Sequence, residues 1–449
     1  MLTNKNIKTN KNIININKEL CTGCRRCSDV CPVDAIDGAK GEPQSINRDL
    51  CVLCGQCVQI CSVYSLKNNK NDEPSFAAYN NGRLNELKSA LKNPNLIKMV
   101  QCAPAVRVSI AEDFGLELGA LTPGKLAAAL RCLNFDRIYD TSFGADITIM
   151  EEGTELIKRI ISNKNLPMFT SCCSAWVKYA EDQHPEILSH LSSCKSPMQM
   201  AGVIIKTYGA EIENIDPSKI FSVAVMPCTC KQYECDRENM YSSGFKDVDL
   251  VITTRELAYL IKDAAIDFAN IKDEEFDKPL GDYSGAGTIF GATGGVMEAA
   301  IRTGYELITK EKIDDVNLNF IRGHDGIRTA TVTVGSWDLK VAVVCGLKNA
   351  NKIIQSINDG TCDYHFIEVM GCPQGCISGG GQPKILLDED REIAYEKRKA
   401  SLYKHDSDML IRKSHENPHI KKLYKEFLGE PLGEKSHHLL HTKYKYTKI

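Results

Sequence analysis

Cysteine is the residue whose type and spacing most directly imply chemistry: the chain carries 20 in 449 residues. Eight fall in two runs of identical spacing, Cys21-x2-Cys24-x2-Cys27-x3-Cys31 and Cys51-x2-Cys54-x2-Cys57-x3-Cys61. Two-residue gaps let neighbouring thiolates converge on one cluster, and soft thiolate donors favour iron–sulfur over harder ions. Zinc also accepts four thiolates, but usually from two separated pairs rather than from one run. Four further cysteines stand in unusual company: Cys173 in FTSCCSAW, Cys228 in VMPCTCK, and Cys372 and Cys376 in EVMGCPQGCISGGGQP. One thiolate from each of two strand ends, plus a CxxxC pair, can hold a third cubane. Glycines 379–381 let the backbone approach such a site closely.

Composition narrows the setting. The first twenty residues are rich in Asn and Lys and lack a continuous apolar segment, so no secretory signal is read there. No stretch is long and apolar enough to span a bilayer. The expectation is a soluble, cytoplasmic chain, in which clustered cysteines bind metal rather than pair as disulfides, because cytosolic thiols stay reduced. A formal charge of −3 and a pI near 6.4 give no reason to expect nucleic acid or a membrane surface as partner.

The elements that must position these cysteines follow from pattern. Residues 1–18 form a polar N-terminal extension whose alternation at 13–17 predicts a first strand. Residues 19–66 hold the two cysteine runs, an internal repeat. Residues 67–94 read as a linker and then a helix, with Leu84, Leu87 and Leu91 at helical spacing. From 95 to 449, short apolar runs alternate with amphipathic segments. Buried strands are expected at 96–100, 166–170, 220–225 and 366–370. Each is followed at once by an unusual peptide: QCAPAV, SCCSAW, PCTCK or GCPQGC. Ligands of α/β folds collect outside the carboxyl ends of strands, so the four peptides are expected to share one pocket. A hairpin is expected over 331–344, turning at 335–338, and a helix around 408–428. His437, His438 and His441 read as packing or solvated positions.

The repeat resembles two-cluster ferredoxins, in which the fourth cysteine of each run ligates the other cluster. That implies one set of Cys21, Cys24, Cys27 and Cys61, and a second of Cys51, Cys54, Cys57 and Cys31. Ser62 stands where the fingerprint has Pro. Two adjacent 4Fe–4S clusters make an electron wire, so the rest of the chain must use the electrons.

The three peptides around the second cysteine set resemble the signature motifs of FeFe hydrogenases, TSCCPxW, MPCxxKxxE and ExMxCxxGCxxGGGQP, in order and spacing. The resemblance covers essentially the whole chain. It implies an α+β ferredoxin-like N-terminal domain followed by an α/β catalytic domain with two lobes flanking the active site. It also implies an H-cluster, a 4Fe–4S cubane joined to a two-iron subsite with carbonyl, cyanide and azadithiolate ligands. By that likeness Cys173, Cys228, Cys372 and Cys376 bind the cubane, with Cys376 as the bridge. Lys231, Ala103 and Pro104 surround the cyanides, and Met226, Met370, Pro197 and Phe290 wall the pocket. Reversible hydrogen oxidation and proton reduction, ferredoxin or flavodoxin as electron partner, and maturation proteins that insert the two-iron unit follow as expectations.

Protons must also reach a buried metal. Cys172 precedes a ligand cysteine, and a thiol can donate and accept a proton. Glu152, Glu155 and Arg159 are spaced i, i+3 and i+7 on one helix face. With Ser192 they match the family's relay; by themselves they would read as a solvated acidic face. Departures from the family pattern are Ser174 and Ala175 after the paired cysteines, Met198 where Gln is common, Cys230 where Ser, Ala or Thr is usual, and Cys235. Cys102, Cys132, Cys194, Cys345 and Cys362 read as buried small apolar residues. Rival readings are a hydrogenase-like iron–sulfur assembly protein, a hydrogen sensor, and an electron-transfer subunit alone.

Overall fold

The computed structural model of the chain describes residues 12–66, 75–323 and 326–447. Most of the N-terminal extension and the stretch 67–74 of the expected linker lie outside them.

Two four-stranded sheets organise the larger part of the molecule. The first contains β1 (Ile97–Cys102) and β2 (Arg137–Asp140); the second contains β3 (Met168–Phe169). Next along the chain come β4 (Ile220–Met226) and β5 (Leu250–Thr253), which complete the first sheet in the order β5-β4-β1-β2, all parallel. Then β6 (Ile327–Val334), β7 (Trp337–Cys345) and β8 (Phe366–Met370) complete the second in the order β6-β7-β8-β3. Its β6–β7 pair is the expected hairpin; its other pairs are parallel. The turn is tighter than expected, Gly335 and Ser336 between the paired Val334 and Trp337, with Gly335 at φ +60°. Positive φ is what two-residue hairpin turns require.

The central strands β4 and β8 are buried almost throughout, as parallel strands covered on both faces must be. Two strands escaped the sequence reading, β2 and β5. Each has only four residues; β2 makes no distinct apolar run and β5 only the three residues Leu250, Val251 and Ile252, and pairing with stronger neighbours holds both in place. The strand expected at 166–170 is only two residues long.

The helix α1 (Thr141–Ser162) packs between the sheets. Its Ile147 shares a core with Met99 and Tyr139 of the first sheet, and its Ile149 with Val341 and Phe366 of the second. Asp140 caps it by accepting from the Ser142 N–H at 2.8 Å. Further helices used below are α2 (Ser174–Gln183), α3 (Pro197–Ile204), α4 (Cys230–Cys235) and α5 (Asp388–Asp408). α1 crosses α3 at Gly144, where a Cβ would lie 2.2 Å from the Pro197 carbonyl oxygen. No larger residue allows that approach.

The segment expected as one helix around 408–428 is helical from Pro418 to Leu428, and an earlier helix ends where it was expected to begin. α5 ends at Asp408, Met409 turns extended, and a new helix opens at Pro418 with Asn417 accepting from the His419 N–H. Proline lacks an N–H and fits the first turn of a helix, not its interior. Asp388, Glu389 and Asp390 favour the earlier start by facing the helix dipole.

The N-terminal unit is built of short pieces: strands Ile14–Ile16, Ile36–Asp37, Ser45–Ile46 and Tyr64–Ser65, and helices Arg26–Asp29 and Gln56–Ile60. Ile14–Ile16 pairs antiparallel with Ala78–Asn80, so the unit closes on a strand beyond residue 66. The expected helix over Leu84–Leu91 is present. Among the described residues no helix is long and apolar enough to cross a membrane.

Candidate hydrogen-chemistry site

The repeat is visible in the backbone. Gly23 and Leu53, one residue before Cys24 and Cys54, both take positive φ, as do Arg25 and Gly55 just after them. These kinks turn successive thiols inward. The thiol of Cys27 has Cys21, Cys24 and Cys61 as electrostatic neighbours, and burial with their crowding pushes it up to about 11. Cys57 is raised well above the usual thiol range, by burial first and then by Cys54, Cys51, Cys31 and, last, Cys27. Each group thus combines three thiols of one run with the fourth of the other. Backbone N–H groups of Ala35, Gln44 and Ala78 donate to the sulfurs of Cys31, Cys21 and Cys61 at 3.2–3.4 Å.

The second run is pressed against the glycine loop. A Cβ on Gly380 would lie 2.2 Å from the Cys54 carbonyl oxygen. Gln56 donates to the Ser378 carbonyl at 3.1 Å, Gln59 to those of Gly379 and Gln382 at 2.9 and 2.7 Å, and Thr229 to that of Leu53 at 2.7 Å. The contact brings Cys54 within electrostatic reach of Cys228 and Cys372.

Beyond that contact lies a small apolar cavity of about 70 Å³ where the four peptides meet. Ala103 and Pro104 follow β1, Cys172 and Cys173 follow β3, Met226 and Cys228 end β4, and Met370 and Cys376 follow β8. Pro197 and Met198 at the start of α3, Lys231 on α4, and Phe290 complete the wall. All four expected strand ends therefore share one pocket. A larger cleft of about 260 Å³, around Phe143 and Tyr283, contains none of the expected site residues.

The thiols of Cys173, Cys228, Cys372 and Cys376 form one group. Burial, then Cys173, pushes Cys228 up to about 11; burial, then Cys173 and Cys228, pushes Cys376 up to about 12. Cys372 is raised well above the usual thiol range, by burial first and then by Cys228, Cys173, Cys54 and Cys376. Thiols that resist ionisation, as Cys228, Cys372 and Cys376 do, suit a cationic cluster, which supplies the compensating charge. The Gly371 N–H donates to Cys173 Sγ at 3.3 Å.

Lys231 is buried, donates to the Cys172 carbonyl at 3.0 Å, and pairs with Glu234 at 2.6 Å. Burial alone would lower Lys231; Glu234 more than offsets it and holds the ammonium raised. Glu234 also accepts from Ser174 and Ser196. The sequence reading quoted this glutamate within its motif and gave it no role, although its i, i+3 spacing from Lys231 pointed to the pair. Ser174, noted as a departure, has a partner here that proline could not supply. Thr141, Ala145 and Gly291 line the cavity unforeseen.

From the cavity a file of polar groups leads outward. The Cys172 thiol is buried near Glu152. Burial lifts Glu152 to about 8, moderated by Ser192, and neither of its oxygens meets a well-formed donor among the described residues. Ser192 donates to Glu155 at 3.0 Å, and Arg159 donates to Glu155 at 2.7 Å. Arg159 also donates to the carbonyls of Asn165, Ser189, His190 and Leu191.

Three thiols expected inside are buried, Cys102, Cys194 and Cys345. Cys132 is exposed and Cys362 half-buried. Cys132 ends an amphipathic helix on its outer side, and Cys362 lies in the loop before β8, where no core reaches them.

Family comparison bears directly on this site. Residues 97–380 match the family model described as "Iron only hydrogenase large subunit, C-terminal domain". The chain belongs to the iron-only, or FeFe, hydrogenase family. Residues 13–62 match a 4Fe-4S dicluster domain and residues 391–447 the iron hydrogenase small subunit. The NADP-reducing hydrogenase subunit HndD of Solidesulfovibrio fructosivorans is 50% identical over 80% of this chain and 62% of its own length. Iron hydrogenase 1 of Clostridium pasteurianum is 46% identical over 83% of this chain and 65% of its own. The chain therefore spans a little under two thirds of both relatives. Cytosolic iron–sulfur assembly component 3 of Rattus norvegicus is also similar, at 30% identity over 80% of this chain and 76% of its own. An apo FeFe hydrogenase from Chlamydomonas reinhardtii superposes with a TM-score of 0.73 at 41% identity, covering 82% of this chain and all of that one. Membership of the iron-only hydrogenase family thus rests on the sequence match and agrees with the geometry of the site.

Proposed function

We propose that this FeFe hydrogenase interconverts hydrogen with protons and electrons, exchanging the electrons with a ferredoxin or flavodoxin at its ferredoxin-like N-terminal unit. The observation that carries the reading is the meeting of Cys173, Cys228 and Cys376 at one apolar cavity that also holds Lys231 and Cys172, with Cys372 within electrostatic reach of all three thiols. In this reading two lobes, one on each sheet, flank the site.

Cys21, Cys24, Cys27 and Cys61 hold one 4Fe–4S cluster, and Cys51, Cys54, Cys57 and Cys31 the second. Cys173, Cys228, Cys372 and Cys376 would hold the cubane of the H-cluster, Cys376 being the ligand next to the two-iron unit. When bound, that six-iron group supplies the hydrogen-splitting chemistry, and maturation proteins insert its two-iron part. The chain's residues do the rest. Lys231, with Ala103 and Pro104, binds the cyanides; an ammonium offers three donors where water is excluded. Met226, Met370, Pro197 and Phe290 keep the pocket dry. Cys172, Glu152, Ser192 and Glu155 form the proton route, with Arg159 holding its outer carboxylate in place. A carboxyl lifted to about 8 suits proton exchange near neutrality. The Gln56, Gln59 and Thr229 contacts fix the second cluster's distance from the cubane. The setting is cytoplasmic and anaerobic.

Infrared spectroscopy of anaerobically matured protein, with iron counting, tests the proposal. Three cubanes and one two-iron unit give about 14 irons per chain, together with intrinsic carbonyl and cyanide bands. Iron at that level without those bands would point to the assembly-protein reading; about eight irons would leave only an electron carrier.

A further inference from the structure

His441 lies buried between two carboxylates of α1. Its Nδ1 is 2.8 Å from Ser193 Oγ, and its Nε2 is 3.0 Å from Glu151 Oε2. Ser193 reaches Glu155 Oε2 with both its hydroxyl, at 3.1 Å, and its N–H, at 3.0 Å. Glu151 is itself fixed by the Tyr424 hydroxyl at 2.6 Å and the Leu432 N–H at 2.8 Å. A carboxylate held so firmly keeps a proton on Nε2 and leaves Nδ1 facing the serine. The exposed ring of His437 lies flat against His441, centroids 4.7 Å apart, with Lys158 nearby. The groups facing His441 are therefore Glu151, Glu155, Cys194, His437 and Tyr424, with Arg159 on the far side of Glu155.

We propose that His441 is a second proton-loading branch, joined to Glu155 through Ser193; this rests on Glu155 being a member of the route proposed above. The argument turns on Arg159. Its guanidinium does not give up a proton in a protein, and its donors are taken up by Glu155 and four backbone carbonyls. It holds Glu155 in place but cannot load it. An imidazole exchanges its proton near neutral pH. In the loading step the Nδ1–H of cationic His441 passes to Ser193 Oγ while the Ser193 hydroxyl proton passes to Glu155 Oε2. One N–H and one O–H bond break, two O–H bonds form, and the charges on His441 and Glu155 both vanish. Nothing is oxidised or reduced. Solvent recharges the imidazole on the His437 side, and hydrogen oxidation runs the sequence backwards.

The test compares matured wild-type enzyme, His441→Ala and Glu155→Gln. In His441→Ala, turnover is expected to fall roughly tenfold at about pH 8, where protons are scarce, and less at about pH 6. The solvent deuterium isotope effect should rise, and free imidazole should restore at least part of the rate, with the active-site infrared bands unchanged. Infrared pH titration gives a readout apart from turnover. The carboxyl band lost in Glu155→Gln should titrate with a shifted midpoint in His441→Ala, because a charge one hydroxyl away is gone. A loss that imidazole does not rescue, with an unshifted band, makes His441 structural and overturns the branch. So does wild-type turnover in His441→Ala while Glu155→Gln is inactive. Full turnover in Glu155→Gln instead removes the route itself, and the branch with it.

Discussion

Lys231 and Glu234, one helical turn apart on α4, are joined at 2.6 Å, both buried, and the lysine also holds the carbonyl of Cys172. The carboxylate is kept below its usual range despite burial, because Lys231, Ser174 and Ser196 all donate to it. Glu234→Gln leaves an unpaired buried ammonium, at a cost of about 3–5 kcal/mol. The expected result is a lower melting temperature and weakened or split cyanide bands after maturation. Because Glu234 is held low when folded, its stabilisation is present above the ordinary glutamate range and fades as pH falls through the folded value. The gap between wild type and Glu234→Gln in thermal melts should therefore close in acid.

Glu152 has the opposite sign. Burial raises it from 4.5 to about 8, so the folded chain keeps a proton that the unfolded chain releases. Its contribution is full below about pH 4.5 and is lost as pH rises through about 8. Melts of wild type and Glu152→Gln should run in parallel below the lower value, and the variant should gain on wild type between the two. A gap constant with pH would mean that the carboxyl does not titrate there. Turnover of the same variant should drop at least about a hundredfold, since an amide cannot relay a proton.

The two-cluster repeat, the four strand-end peptides and the hairpin were legible in the sequence because each depends on local spacing: x2 gaps between thiols, short apolar runs, a glycine turn. β2 was not, because its strand character comes from pairing with β1, and the three-residue apolar run of β5 was too short to stand out. The expected tail helix starts at Pro418 rather than near 408, and α5 before it was missed, since mean charge does not mark a boundary while Pro418 and the acidic start at Asp388 do. At the site, most residues named from motifs line one cavity and the spacing of Glu234 from Lys231 hinted at their pair, yet the parts played by Ser196 and His441 emerged only in three dimensions. His441 is 290 residues from Glu151, and no local pattern links them.

Cys172 tests the inner end of the proton route. The Cys172→Ser variant keeps the buried volume and the backbone carbonyl that Lys231 holds. It should bind the full complement of about 14 irons with unchanged carbonyl and cyanide bands, yet lose nearly all turnover, on the order of a hundredfold or more. Full activity in a fully loaded sample would remove Cys172 from the route.

Cys230 tests how the departures tune the site. It is wholly buried in the first turn of α4, two residues after Cys228 and within electrostatic reach of Cys173. A hydroxyl is a stronger donor than a thiol, and donors near cluster sulfurs stabilise the more negative, reduced state. Cys230→Ser should therefore raise the cubane's potential. A hydrogen bond worth about 1 kcal/mol corresponds to roughly 40 mV in a one-electron couple. Film voltammetry should show that rise together with a changed ratio of hydrogen-oxidation to hydrogen-evolution current. An unmoved potential and an unmoved ratio would make Cys230 a packing residue only.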